Sequence, residues 1–131
     1  MIIADTSVWI DYFNGNDNIL TDTLDKGLAE GGIAIGDLIF LEILQGFKDD
    51  KEFRLAKTTL GTLEQYEMLG HANALKAADN YRRLRKKGIT IRKTADVIIA
   101  TFCIQNNLPL LFSDRDFIPF VDHLGLISAL A

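Results

Sequence analysis

Four acidic residues of this chain lie beside or within strongly apolar segments. They are Asp5 after 1–4, Glu42 inside 38–44, Asp96 before 97–100, and Asp114 after 110–113. Burying one unpaired carboxylate is costly, whereas several buried together are stabilised if a divalent cation neutralises them. We therefore expect a fold that gathers these acids around a cation.

Length and composition predict one ordinary globular domain. A chain of 131 residues with 48% hydrophobic and 24% charged residues is large enough for one core and too short for two, so the domain is expected to span 1–131. Cys103 is the only cysteine, which excludes an internal disulfide and predicts a buried thiol in a reducing compartment. The apolar start carries no basic leader, so we expect a cytoplasmic protein without a signal peptide.

Apolar runs and amphipathic stretches alternate along the chain. Strands are predicted at about 1–5, 33–35, 65–69, 109–113 and 125–127, and helices at roughly 7–14, 17–30, 37–48, 50–62, 71–87 and 94–106. This alternation predicts an α/β domain whose mainly parallel sheet of about four or five strands has helices on both faces. Asp5 and Asp114 would end strands at the carboxyl edge, where such sheets bind ligands, and Asp96 could reach that edge from its helix.

Taken singly, three of the acids also have structural interpretations. Asp5 could cap a helix, Asp96 could complement a helix dipole, and Asp114 with Asp116 could form a turn. Glu42 is different, because the nearest lysine, Lys48, is not three or four residues away.

The four acids together favour a metal site. Carboxylates without histidine or cysteine select Mg²⁺ or Mn²⁺, which can activate a water for hydrolysis. The sequence thus predicts a metal-dependent hydrolase, with a nucleic-acid phosphodiester as its target.

The motifs around these acids carry a family resemblance. They are Asp5-Thr6-Ser7-Val8-Trp9-Ile10, the helical Glu42, Asp96 before Val97-Ile98-Ile99-Ala100, and Ser113-Asp114-Arg115-Asp116-Phe117. Over nearly its whole length the chain resembles a PIN-domain ribonuclease, and its length and opening motif are similar to the VapC-type toxins of toxin–antitoxin pairs.

The resemblance implies an endoribonuclease dependent on Mg²⁺ or Mn²⁺ that leaves a 5′-phosphate and a 3′-hydroxyl. It implies that Asp5, Glu42, Asp96 and Asp114 hold the metal, with Asp116 beside or instead of Asp114. Thr6, Ser7 and Ser113 would support these acids. It also implies a homodimer and a small antitoxin whose C-terminal segment covers the acidic groove.

Basic residues are expected to bind the RNA, because an acidic site repels phosphates until cations fill it. Arg92, Lys93 and Arg115 are the candidate phosphate contacts, since they lie nearest the acids in sequence. The basic residues of 82–87 fit the solvated face of an amphipathic helix instead.

Two other functions stay open from the residues alone. A non-catalytic binding or dimerisation module with an acidic pocket is one. Another phosphoryl-transfer hydrolase is the second, although dehalogenase-like phosphatases and receiver domains use a downstream lysine and none follows Lys93.

Overall fold

The computed structural model describes residues 1–130. In chain order its elements are β1 (Ile2–Ala4), α1 (Thr6–Phe13), α2 (Ile19–Ala29), β2 (Ile33–Gly36), α3 (Asp37–Gln45), α4 (Asp50–Gly61), β3 (Glu64–Tyr66), α5 (His71–Lys86), α6 (Thr94–Gln105), β4 (Leu110–Leu111), a 3₁₀ turn (Arg115–Phe117) and α7 (Ile118–Leu124). The α/β class is confirmed, and all six predicted helices are present. The largest displacement of a helix end is in α3, which stops at Gln45.

The four strands form one parallel sheet in the order β3-β2-β1-β4. Ile3 of β1 pairs with Ala34 on one side and Leu110 on the other, and all three are fully buried. Continuous apolar strands of this kind are typical of a sheet covered on both faces. The strand order reverses between β1 and β4, so Asp5, directly after β1, stands at the position where parallel sheets bind ligands.

The helices divide into two groups by their contacts. One group contains α1 to α4 and the other contains α5 to α7. Connections from β1 to β2 and from β2 to β3 run in one direction across the sheet, whereas the connection from β3 to β4 runs back. Because such crossovers are right-handed, the two groups cover opposite faces, as the sequence predicted.

A buried polar contact joins α5 to α6. The side-chain amide of Asn80 donates a 3.0 Å hydrogen bond to Oγ1 of Thr101, and both residues are buried. A polar pair inside an apolar interface disfavours sliding of one helix along the other, since a shift would leave both groups unsatisfied. This contact therefore helps to fix the position of α6, whose first turn carries Asp96.

The C-terminal region differs from the sequence prediction. The strand predicted at 125–127 is wrong: beyond Gly125, which has a φ of +84°, the chain meets β4 only through a single bridge between Leu110 and Ser128. The strand predicted at 65–69 is shifted to Glu64–Tyr66, so that Met68 is buried outside the sheet. The 3₁₀ turn and α7 were not predicted, although Pro119 in the first turn of α7 is compatible with a helix start.

Within residues 1–130, no helix has the length and apolar character needed to cross a membrane.

Candidate metal centre

Asp5 is buried at the end of β1, with only 5% of its surface exposed. It occupies the N-cap position of α1, but within residues 1–130 its side chain makes no capping hydrogen bond, so a capping role does not explain it. One carboxylate oxygen instead accepts a 3.2 Å hydrogen bond from the Ser7 hydroxyl, which also lies 3.1 Å from the Ser113 hydroxyl. Burial, reinforced by the charges of Glu42 and Asp114, raises the pKa of Asp5 to about 6.

Glu42 is half-buried on α3, facing the start of α1. The Thr6 hydroxyl donates a 2.7 Å hydrogen bond to Oε1 of Glu42. Since α3 follows β2 directly and α1 begins one residue after the end of β1, the adjacent strands bring these two residues together at one sheet edge. The hydrogen bond to Thr6 orients the carboxylate but does not neutralise its charge.

Asp96 is 6% exposed in the first turn of α6. Burial raises its pKa to about 7, with smaller contributions from the charges of Asp5, Asp114 and Glu42 and an opposing one from Lys93. An acid that only complemented a helix dipole would have its pKa lowered, because the dipole favours the charged form. Burial and the neighbouring carboxylates therefore outweigh any stabilisation of the charged form by the helix dipole.

Asp114 and Asp116 approach Asp96 from the segment after β4. One oxygen from each of the three carboxylates lies within 4.8 Å of the others, and this is the one such acidic group that residues 1–130 contain. Asp114 does serve as a turn acid, since its Oδ1 accepts a 2.9 Å hydrogen bond from the backbone N–H of Asp116. The structure thus brings both Asp114 and Asp116 next to Asp96.

Two buried carboxylate oxygens fit a hard divalent cation. Oδ2 of Asp96 and Oδ2 of Asp116 are shielded from solvent, and neither has a hydrogen-bond partner among the described residues. Buried polar atoms are almost always satisfied, and an unsatisfied carboxylate oxygen is especially costly. A cation held by oxygen ligands would satisfy them, and an all-carboxylate set suits Mg²⁺ or Mn²⁺.

The three candidate phosphate contacts are exposed. Arg92 is 79% exposed and its guanidinium lies 3.6 Å from Oδ2 of Asp116, while Lys93 is close enough to Asp96 to lower the pKa of that acid. Arg115 is exposed at the start of the 3₁₀ turn. The basic residues of 82–87 are exposed along α5, as expected for a solvated helix face.

One acid at this sheet edge escaped the sequence analysis. Asp37 follows β2 directly, yet its Oδ1 accepts hydrogen bonds from the backbone N–H groups of Leu38 and Met68, at 2.8 and 3.0 Å. It ties the segment after β3 to the start of α3. The position of Asp37 after a strand could have marked it as a candidate site residue in the sequence. Only its hydrogen-bond partners show that its role is structural.

Comparison with known proteins agrees with this geometry. The family model described as "PIN domain" matches residues 2–120. The chain belongs to the PIN domain family.

Named relatives cover most of the chain. It is 30% identical over 119 residues to a VapC ribonuclease of Mycobacterium bovis and, equally, to ribonuclease VapC11 of Mycobacterium tuberculosis, with 89% of each chain covered.

Two solved structures share the fold. One is VapBC2 from Rickettsia felis bound to a DNA fragment from their promoter, with a TM-score of 0.76 and 20% identity over 98% of this chain and 97% of the other. The second is a toxin–antitoxin complex from Klebsiella pneumoniae, with a TM-score of 0.68 and 18% identity over the same shares.

Proposed function

We propose that this protein is a metal-dependent endoribonuclease and the toxin of a type II toxin–antitoxin pair. The observation that carries the proposal is the buried, unpartnered oxygen of Asp96 beside Asp114 and Asp116. Membership of the PIN domain family and 30% identity to proteins named ribonucleases support the assignment of RNA as the substrate.

The metal ligands in this proposal are Asp5, Glu42, Asp96, Asp114 and Asp116, with Mg²⁺ or Mn²⁺ as the cation. A bound cation of this kind supplies a polarised water for hydrolysis and neutralises charge on the phosphate. Burial of Asp5 and Asp96 shields these two carboxylates from bulk water and strengthens their electrostatic interactions.

Hydroxyl groups hold the ligands in place. Thr6 orients Glu42, and Ser7 orients Asp5 while contacting Ser113. Such contacts fix a ligand before the cation arrives and preserve its affinity. Arg92, Lys93 and Arg115 on the rim would contact RNA phosphates on either side of the bond that is cut.

A mixed RNA pool tests this function. Purified protein, free of any partner, is incubated with the pool in Mg²⁺, in Mn²⁺ and in EDTA, and the products are mapped at both ends. We expect cuts in both cations and none in EDTA, with 5′-phosphate and 3′-hydroxyl products. Cleavage that persists in EDTA, or 2′,3′-cyclic phosphate products, would contradict a metal-dependent hydrolysis. Folded protein that cuts nothing in either cation would favour the binding-module alternative.

A cleft formed by α1, α4 and the end of α3 is our candidate surface for the antitoxin. Aromatic and aliphatic side chains of α1, α3 and α4 line two adjoining cavities of about 300 and 370 Å³, and Phe13 and Leu55 are exposed in them. Apolar grooves between helices bind amphipathic peptide segments through such anchors. Both solved structures above contain toxin–antitoxin complexes, which supports a protein partner for this chain.

A separate groove of about 540 Å³ between α5 and α6 is our candidate homodimer surface. Ala74, Ala77 and Ala78 line it together with Tyr81 and Ile98. Small residues let another helix approach closely, and the same groove on two copies could form a two-fold interface. We expect Leu55→Ser to weaken copurification with the antitoxin and Ala78→Glu to weaken dimerisation in sedimentation. Loss of both associations in one variant would contradict separate surfaces.

A further inference from the structure

Arg92 makes an unusual contact for a residue on the rim of an RNA site. The acidic cluster is formed by Asp96, Asp114 and Asp116. Within residues 1–130, the Arg92 guanidinium is the one basic group within 4.0 Å of these carboxylates, at 3.6 Å from Oδ2 of Asp116. That oxygen is shielded from solvent and accepts no hydrogen bond within residues 1–130. In the free protein, Arg92 thus supplies the positive charge that Asp116 faces.

The same oxygen belongs to one of the three carboxylates that converge within 4.8 Å. A cation bound there and the Arg92 guanidinium are both positive, so they repel one another and also attract the same carboxylate. Their competition is expected to weaken cation binding, since like charges in close proximity oppose each other.

The Arg92 side chain can also move away from Asp116 at little cost. Its side chain is 79% exposed, and its single contact with Asp116 is longer than a hydrogen bond. An exposed pair of this kind is weak, whereas a guanidinium binds a phosphate through two parallel hydrogen bonds. A phosphate that reaches the rim therefore offers Arg92 a stronger partner than Asp116.

We propose that Arg92 couples RNA binding to cation binding: it pairs with Asp116 in the free protein and moves to a backbone phosphate in the complex, which releases Asp116 for the cation. The inference rests on the proposed function and adds a regulation of its site. Coupling of this kind is reciprocal, so the phosphate backbone tightens cation binding and the cation tightens binding of the phosphate backbone. Arg92 is thereby a positioning residue that acts through Asp116.

Mn²⁺ binding measured by titration calorimetry tests this without any cleavage. The proteins are the wild type, Arg92→Gln, Arg92→Lys and the control Arg83→Gln, which removes the same charge from the exposed face of α5. Without nucleic acid, we expect Arg92→Gln to bind Mn²⁺ about two- to fivefold more tightly than the wild type, the range an exposed ion pair allows. Arg92→Lys and Arg83→Gln should remain near the wild type.

A short single-stranded DNA oligonucleotide, added at saturation, supplies the phosphates. We expect it to tighten Mn²⁺ binding more in the wild type than in Arg92→Gln, whose Asp116 is already free. In an Asp116→Asn background, the gain from Arg92→Gln should shrink, because the carboxylate that Arg92 occupies is gone.

The outcomes separate this inference from the proposed function. If the wild type binds Mn²⁺ but Arg92→Gln binds it equally or more weakly, the coupling is refuted and the metal centre stands. An equal effect of DNA on both proteins also refutes it. If the wild type binds no Mn²⁺ with or without DNA, the metal centre fails, and the coupling fails with it.

Discussion

The Thr6 hydroxyl donates a 2.7 Å hydrogen bond to Oε1 of Glu42 from a position 36 residues away in sequence. Thr6 begins α1 one residue after the end of β1, and Glu42 lies on α3, which directly follows β2. The contact therefore ties the start of α1 to the second turn of α3, two helices that follow adjacent parallel strands. It orients the Glu42 carboxylate, which has no basic partner among the described residues, as expected for a metal ligand.

Replacing Thr6 by Val removes this hydrogen bond with little change in shape. We expect a loss of stability of about 1 kcal/mol and a fall in cation affinity or cleavage rate of about 10- to 100-fold, because Glu42 loses the group that orients it. The matched control is Thr23→Val, whose hydroxyl bonds only to the carbonyl of Ile19 within α2. Equal losses of stability, and equal losses of cation affinity or cleavage rate, in the two variants would show that Thr6 contributes to folding alone.

Asp96→Asn should stabilise the cation-free protein while abolishing its function. Burial raises the pKa of Asp96 to about 7, so ionisation of this carboxyl opposes folding at higher pH. Removing the charge is expected to increase the free energy of unfolding at about pH 8 by about 1 to 2 kcal/mol. Thermal melts in EDTA measure this, with the exposed Asp79→Asn as control. A destabilised Asp96→Asn protein would support a purely structural role for the carboxylate.

The pH dependence of stability gives a separate test at Asp5. Folding raises the pKa of this carboxyl from 3.8 to about 6, so the folded chain holds the proton more tightly than the unfolded chain. The resulting stabilisation is fully present below about pH 3.8 and is lost as the pH rises through about 6. In EDTA, we expect Asp5→Asn to become progressively more stable than the wild type across this range. A constant difference would mean that Asp5 ionises normally.

Gly36 is required where β2 turns into α3. A Cβ at this position would overlap the side chain of Met68, which is fully buried against the sheet edge. We expect Gly36→Ala to lower the free energy of unfolding by about 1 to 3 kcal/mol in chemical denaturation, as overpacking does. Gly61→Ala at the end of α4 meets nothing within 4 Å and should be neutral or slightly stabilising. A neutral Gly36→Ala would indicate that Met68 relaxes at little cost.

The sequence predicted the sheet and the position of the acids because both depend on local patterns. The apolar runs before Asp5 and Asp114 predicted two strands, although β4 ends at Leu111, three residues before Asp114. The rule that parallel strands share an edge then brings the two acids together. The apolar sequence of α6 predicted that this helix would be buried, and Cys103 within it is buried as expected. Placing Glu42 needed only the recognition that a charged residue stood on an otherwise apolar helix.

Other features depend on contacts that no local pattern encodes. α7 was missed because Pro119 interrupts a short segment, and its stability comes from burying Phe120 against the core. The strand predicted at 125–127 fails because β4 is only two residues long and offers Ser128 a single bridge. The Arg92 contact with Asp116 joins the loop before α6 to the 3₁₀ turn, and only tertiary structure brings these two segments together.

The measurement that tests the central claim most directly is single-turnover cleavage of RNA in Mn²⁺ by the wild type, Asp96→Asn and the control Asp79→Asn. Because the buried carboxylate of Asp96 is proposed to hold the cation, we expect Asp96→Asn to cut at least about a hundredfold more slowly, with Asp79→Asn at the wild-type rate. Cleavage by folded Asp96→Asn at the wild-type rate would contradict the account, since the acidic cluster would then not be the site of the reaction.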